Sequence, residues 1–87
     1  MNPYRIAYTS NGLRELERLP RDIRPRVAAS VLALAGEPRP HGCVKLSGGD
    51  ELWRIRIGQY RVVYSIDDRA RLVTITRARH RGDVYRT

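Results

Sequence analysis

The chain has 87 residues and a formal net charge of +8, from 17 Lys and Arg against 9 Asp and Glu. This length allows one small domain with a thin core, residues 1–87, and no apolar run is long enough to span a membrane or to serve as a signal peptide. Cys43 is the only cysteine, so an internal disulfide is excluded and we expect a cytoplasmic protein.

The N-terminal third of the chain predicts a short strand and a first helix. Alternating apolar residues indicate the strand at residues 4–8. The residues that follow can cap a helix, and the sequence does not decide between Thr9, Ser10 and Asn11. Three leucines at helical spacing are predicted to face the core: Leu13, Leu16 and Leu19. The outward-facing residues are predicted to be Arg14, Glu15, Glu17 and Arg18.

Pro20 ends this helix, because proline lacks an amide donor and restricts the residue before it. Asp22 is a plausible N-cap for a second helix, and Pro25 falls in its first turn, where the missing N–H would be unpaired anyway. The apolar stripe of this helix consists of Ile23, Val27, Val31 and Leu34. Gly36 is a candidate C-cap. Two antiparallel helices with this patterning are expected to pack on one face of a sheet.

Residues 37–50 are rich in Pro and Gly and predict a loop. The loop holds His41 and Cys43, but His80 is the only other histidine, so a zinc site lacks ligands. We therefore predict no metal and no other cofactor. Lys45, just ahead of the next strand, is either a phosphate contact or a solvated loop residue.

Residues 52–66 predict a β-hairpin around Gly58 and Gln59. Apolar and polar residues alternate on both sides of this dipeptide, and Gly at the first central position suits a type II′ turn. With that turn, the core face holds Trp53, Ile55, Ile57, Tyr60, Val62 and Tyr64. Trp53 is predicted to be largely buried against the two helices. The other face holds Arg54, Arg56, Arg61, Val63 and Ser65.

This register places Arg56 directly opposite Arg61. Like charges directly opposite destabilise a sheet, and a bound polyanion would remove the conflict. Arginines on the outer face of a hairpin are usually only solvated. Three on one face, with no Asp or Glu between them, favour a phosphate-binding surface. The 17 basic residues include one lysine and therefore 16 arginines, which suit forked contacts to phosphate.

A turn at residues 67–71 leads to a last strand at residues 72–78, with Val73 and Ile75 as its core residues. Basic residues then surround His80. The chain has no repeats and no low-complexity segments.

Residues 53–64, followed by residues 80–86, resemble the RelE/ParE toxin superfamily and its RelE branch in particular. The shared pattern is aromatic-Arg-Ile-Arg-apolar-Gly-x-Tyr-Arg-Val-x-Tyr, with a His-Arg pair near the C-terminus. The resemblance covers essentially the whole chain and implies an α+β fold. The implied order is β-α-α-β-β-β, with two antiparallel helices packed on a mainly antiparallel four-stranded sheet.

The resemblance implies a toxin of a type II toxin–antitoxin system that cleaves mRNA in the ribosomal A site and so inhibits translation. RNA is cut when its own 2′-OH attacks the adjacent phosphate, which requires a base, an acid and cations for the phosphorane. Arginines can supply the positive charge, and the chain has no paired carboxylates suited to a two-metal nuclease. A metal-independent RNase is the consistent chemistry.

Carried over from the resemblance, the candidate catalytic residues are Arg61, His80, Arg81 and Tyr85. The candidate RNA or phosphate contacts are Lys45, Arg54, Arg56, Arg77 and Arg79. A histidine suits acid–base work near neutral pH, although a surface histidine at a strand end is an equally good interpretation of His80. Many relatives carry Gly before the His-Arg pair, where this chain has Arg79, so this side chain either crowds the site or adds a phosphate contact.

Two alternatives remain open. A toxin of the ParE kind shares the fold and poisons DNA gyrase without catalysis, and an inactive relative would only bind RNA or an antitoxin. The arginines converging with a His and a Tyr favour the nuclease. A small basic toxin also implies an acidic, partly disordered RelB-like antitoxin. The complex is expected to be hetero-oligomeric and able to bind operator DNA through the antitoxin.

Overall fold

The structure is a computed structural model that describes residues 3–46 and 51–80. The elements in chain order are β1 (Arg5–Tyr8), α1 (Ser10–Glu17), α2 (Arg24–Ala33), β2 (Val44–Lys45), β3 (Leu52–Ile57), β4 (Tyr60–Asp67) and β5 (Leu72–His80). The sheet has the strand order β1-β5-β4-β3-β2. β1 runs parallel to β5, and the other neighbours are antiparallel.

These elements confirm the α+β class and the mainly antiparallel sheet, but the described residues form five strands rather than four. The additional strand is β2, which lies within the segment predicted to be a loop. It pairs with only two residues of β3, Arg54 and Trp53. Two residues are too short for an alternation pattern to be recognised in the sequence.

The core lies on one face of the sheet, under the two helices. The apolar stripe predicted for α2 is buried as expected, with Val27 and Val31 at 0% exposure. Leu34 is 1% exposed, and Ile23 and Leu19 also belong to the core. One prediction for the first helix is wrong, because the side chain of Leu13 is 44% exposed.

The helix starts differ in how they are capped. Thr9 is the N-cap of α1, because its Oγ1 accepts a hydrogen bond from the Gly12 amide at 2.9 Å. The prediction of Asp22 as the cap of α2 is wrong. The N-cap is Ile23, which has no side-chain cap, and the Pro20 carbonyl already accepts a helical hydrogen bond from Arg24. The C-cap of α2 is Leu34 rather than the predicted Gly36.

The hairpin of β3 and β4 has the predicted register. Ile57 pairs with Tyr60, and Arg56 lies opposite Arg61. Gly58 has a φ of +59°, which the first central residue of a type II′ turn requires. Trp53 was predicted to be largely buried but is only partly so.

Cationic side chains lie against the exposed part of the Trp53 ring. The guanidinium of Arg39 is 5.1 Å from the ring centroid, and the Lys45 ammonium is 5.9 Å from it. Arg39 also binds the Asp68 carboxylate through two hydrogen bonds. The Tyr64 hydroxyl donates to the Pro38 carbonyl at 2.8 Å. These contacts fix the segment between α2 and β2 on the core side of the sheet.

Gly12 marks the point where α1 presses on the backbone of β5. A Cβ at this position would overlap the Ile75 carbonyl oxygen and lie 2.9 Å from its carbonyl carbon. We expect Gly12→Ala to lower the free energy of unfolding by about 1–3 kcal/mol, as overpacking does. The measurement is urea denaturation. Gly36→Ala is the control, because its nearest heavy atom would be 3.9 Å away. Equal midpoints for the two variants would contradict the close approach.

Candidate functional site

A β-bulge in β5 decides which side chains point away from the helices. Tyr64 of β4 pairs with Ile75, whereas the preceding Val63 pairs with Arg77, so Thr76 is the extra residue. The Thr76 hydroxyl donates to the Val63 carbonyl at 3.1 Å. A bulge of this kind moves all later side chains of the strand to the other face.

The bulge therefore reverses the alternation that the start of β5 establishes. Val73 and Ile75 lie on the core face, and unbroken alternation would place Arg77 and Arg79 there too. Instead, Ala78 takes the core face at 3% exposure, opposite Val62. Arg77 and Arg79 turn to the face away from the helices.

Five arginines of β3, β4 and β5 consequently share that second face, and we call this group the arginine face: Arg54, Arg56, Arg61, Arg77 and Arg79. Arg56, Arg61 and Arg79 are consecutive partners across β3, β4 and β5. In the adjacent row, Val63 lies between Arg54 and Arg77. Strands are about 4.8 Å apart, so guanidinium groups in one row are close enough to repel each other. This arrangement favours an anionic ligand.

The arginines of this face differ in their exposure. Arg61, at the centre of its row, is only 2% exposed, and the neighbouring Val63 is 4% exposed. Arg56 is exposed, and Arg54 and Arg77 are half-buried. The Nη1 atom of Arg77 is buried and has no hydrogen-bond partner in the part of the chain that the structure describes. A buried donor of this kind is costly until an acceptor reaches it.

Glu15 of α1 reaches the arginine face from the edge of β5. Its carboxylate accepts a hydrogen bond from the Ala78 amide at 2.9 Å and another from the Nε of Arg79. The Glu15 side chain is 11% exposed, and that of Arg79 is 27% exposed. The sequence predicts that Glu15 faces outward from its helix, because nothing in the sequence shows that this side faces a strand edge.

The structure does not bring every predicted site residue to the arginine face. His80 lies opposite Tyr60 on the same side of the sheet as Ala78, and the two aromatic rings meet edge to face with centroids 5.4 Å apart. Lys45 lies opposite Trp53, also on the core side. Arg81 and Tyr85 are outside the described residues.

Within residues 3–46 and 51–80, no three His, Cys, Asp or Glu side chains come together in a way that could hold a metal ion. The two described helices have 8 and 10 residues, and neither has the length and apolar character needed to cross a membrane.

Two helices packed on one face of a five-stranded mixed sheet form the fold of the RelE toxins. The chain has a TM-score of 0.80 with the RelBE2 toxin–antitoxin complex of Mycobacterium tuberculosis, at 32% identity over 91% of this chain and 99% of that one. It has a TM-score of 0.79 with the archaeal RelE–RelB complex of Pyrococcus horikoshii, also at 32% identity, covering 92% of this chain and 97% of that one.

Sequence comparisons agree with the fold. The family model for the ParE toxin of type II toxin–antitoxin systems matches residues 6–85. Toxin RelG of Mycobacterium tuberculosis is 35% identical over 89 aligned positions, which cover 97% of this chain and 98% of that protein. The chain belongs to the RelE/ParE toxin family of type II toxin–antitoxin systems.

Proposed function

We propose that this chain is an RNA endonuclease toxin that cuts mRNA in the ribosomal A site, without a metal ion, in the cytoplasm. The observation that supports this proposal most is the arginine face. Five arginines lie in two adjacent rows on a sheet face opposite the one the helices cover, and Arg77 carries a buried donor without a described acceptor. Phosphates of a single strand are the ligands that such a face suits.

The chemistry would be an attack of the 2′-OH on the adjacent phosphorus. The 2′-oxygen forms a bond to phosphorus and loses its proton, while the bond to the 5′-oxygen breaks and that oxygen gains a proton. The products are a 2′,3′-cyclic phosphate and a 5′-hydroxyl end. In this scheme Arg61 and Arg81 stabilise the charge of the phosphorane, and Arg54, Arg56 and Arg77 hold the flanking phosphates.

Proton transfer falls to residues at the end of β5 and beyond it. His80 is on the Tyr60 side of the strand but directly precedes Arg81, and it stays a candidate acid or base. Tyr85 is proposed to stack on a base of the cleaved codon or to move a proton. Lys45 lies on the opposite side of the sheet, so a phosphate contact there would involve a different part of the RNA.

We further propose a RelB-like antitoxin as the partner. The structures that resemble this chain at 32% identity are complexes with RelB or its counterpart. The net charge of +8 suits an acidic partner, and a partly disordered antitoxin can cover a large surface. The complex would be hetero-oligomeric and would bind operator DNA through the antitoxin.

A second candidate function is poisoning of DNA gyrase, because the family model that matches is the one for ParE toxins. The product distinguishes the two candidates. A nuclease leaves cut mRNA on translating ribosomes, whereas a gyrase poison leaves cleaved DNA trapped on the enzyme. A relative that only binds RNA or antitoxin would leave neither product.

The expected result with programmed ribosomes is a single cut within the A-site codon. Arg81→Ala should slow this cut about 100- to 1,000-fold, as loss of an oxyanion donor does. Tyr85→Ala should cost less, about 1–3 kcal/mol if Tyr85 stacks on a base. The measurement is single-turnover cleavage, with toxin dialysed against EDTA beforehand to remove transition metals. Wild-type rates in both variants, shown to be folded, would place the site elsewhere.

A further inference from the structure

Side chains of helix α1 form hydrogen bonds with the end of β5, where no β1 residue pairs with it. The pairing of β1 with β5 stops at Tyr8 and Ile75, so the last residues of β5 have no β1 neighbour. Two backbone groups of this edge bind side chains of α1 instead. The Asn11 amide donates to the Thr76 carbonyl at 3.3 Å, and Glu15 accepts from the Ala78 amide at 2.9 Å.

The second bond of Glu15 involves one of the five arginines. Its other carboxylate oxygen accepts from the Nε of Arg79, and the two side chains are 11% and 27% exposed. Since both groups are largely withdrawn from water, the pair is screened much less than a surface ion pair. The carboxylate neutralises Arg79 and directs its guanidinium towards α1.

Resting on the function proposed above, we propose that Glu15 is a positioning residue that holds Arg79 away from the RNA phosphates. The arginine face then binds RNA through Arg54, Arg56, Arg61 and Arg77. Arg79 occupies the end of its row but contributes no phosphate contact, because the carboxylate already engages its Nε donor and offsets its charge.

The substitution Glu15→Gln separates the negative charge of Glu15 from its hydrogen bond with the Ala78 amide. The glutamine amide oxygen can still accept from the Ala78 amide, so the end of β5 keeps its support. The negative charge is lost, and the amide N–H₂ group cannot accept a hydrogen bond from Arg79. Arg79 is thereby released towards the RNA.

The expected result is a steeper salt dependence of RNA binding. One added phosphate contact on a single strand should increase the slope of log affinity against log salt by about 0.7. The measurement is fluorescence anisotropy of a labelled oligouridylate titrated with toxin at several KCl concentrations. A merely structural loss would weaken binding and flatten the slope, which is the opposite change.

Two further variants make the test specific. Glu17→Gln removes the same charge from the same helix at an exposed position, and its slope should equal that of the wild type. The double variant Glu15→Gln/Arg79→Ala should return the slope to the wild-type value. A Glu15→Gln slope equal to that of Glu17→Gln would overturn the proposal, and so would a steep slope that persists in the double variant.

This experiment is independent of cleavage. If the wild type cuts no mRNA but Glu15→Gln steepens the slope, the nuclease proposal fails and the assignment of Glu15 stands. If cleavage occurs and the slopes do not differ, only the assignment of Glu15 fails.

Discussion

Arg61→Ala is expected to slow single-turnover cleavage of mRNA on programmed ribosomes about 100- to 1,000-fold. Removal of one preorganised donor to a developing oxyanion has an effect of this size. Arg61 is the central residue of its row, between Arg56 and Arg79, and is only 2% exposed. A guanidinium in such a position acts in a low dielectric, where its interaction with the phosphorane of the proposed reaction would be strong.

The control for Arg61→Ala is Arg5→Ala, which removes the same side chain from an exposed position on β1. This variant should cleave at the wild-type rate. Circular dichroism must show that both variants are folded. Equal rates for Arg61→Ala and Arg5→Ala would remove Arg61 from the catalytic machinery.

Tyr64→Ala should lower the free energy of unfolding by about 3–5 kcal/mol, the range for truncating a buried aromatic residue. The Tyr64 side chain is 0% exposed, and its hydroxyl donates to the Pro38 carbonyl at 2.8 Å. Tyr64→Phe keeps the ring and loses only the hydrogen bond, so it should cost about 0.5–1.5 kcal/mol. Urea denaturation measures both values, and similar losses in the two variants would show that the ring contributes little.

Tyr64 also predicts how stability changes in alkaline solution. Burial is the main cause that raises the pKa of this phenol in the folded state. A group whose folded pKa is raised contributes stability below its unfolded pKa of about 10, and the contribution is lost as pH rises further. Tyr64→Phe should therefore lose less stability than the wild type between pH 9 and 11, about one unit either side of that value. Parallel losses would contradict this assignment.

The hairpin was predictable because two local signals agree. Alternation around the Gly58-Gln59 turn fixed the register, including the placement of Arg56 opposite Arg61, and the structure has that register. A register that is set by a turn and a hydrophobic face can be predicted without information on the rest of the fold.

The bulge in β5 and the role of Glu15 were not predicted, because both features depend on distant parts of the chain. The bulge at Thr76 contacts both β4 and α1, and the sequence of β5 alone does not show these contacts. Without the bulge, alternation from Val73 and Ile75 would have placed Arg77 and Arg79 in the core. Glu15 was missed for the same reason, since its partner is the edge of a distant strand.

The parallel pairing of β1 with β5 has a consequence for the synthesis of this protein. Of the described strands, β1 is translated first and β5 last, yet Ile6 pairs with Val73 in the finished sheet. Contacts between such distant segments form slowly, because a long loop must close before they form. The rows of the arginine face also need residues from β5. A growing chain therefore has an incomplete arginine face until β5 has been synthesised and has paired with β4.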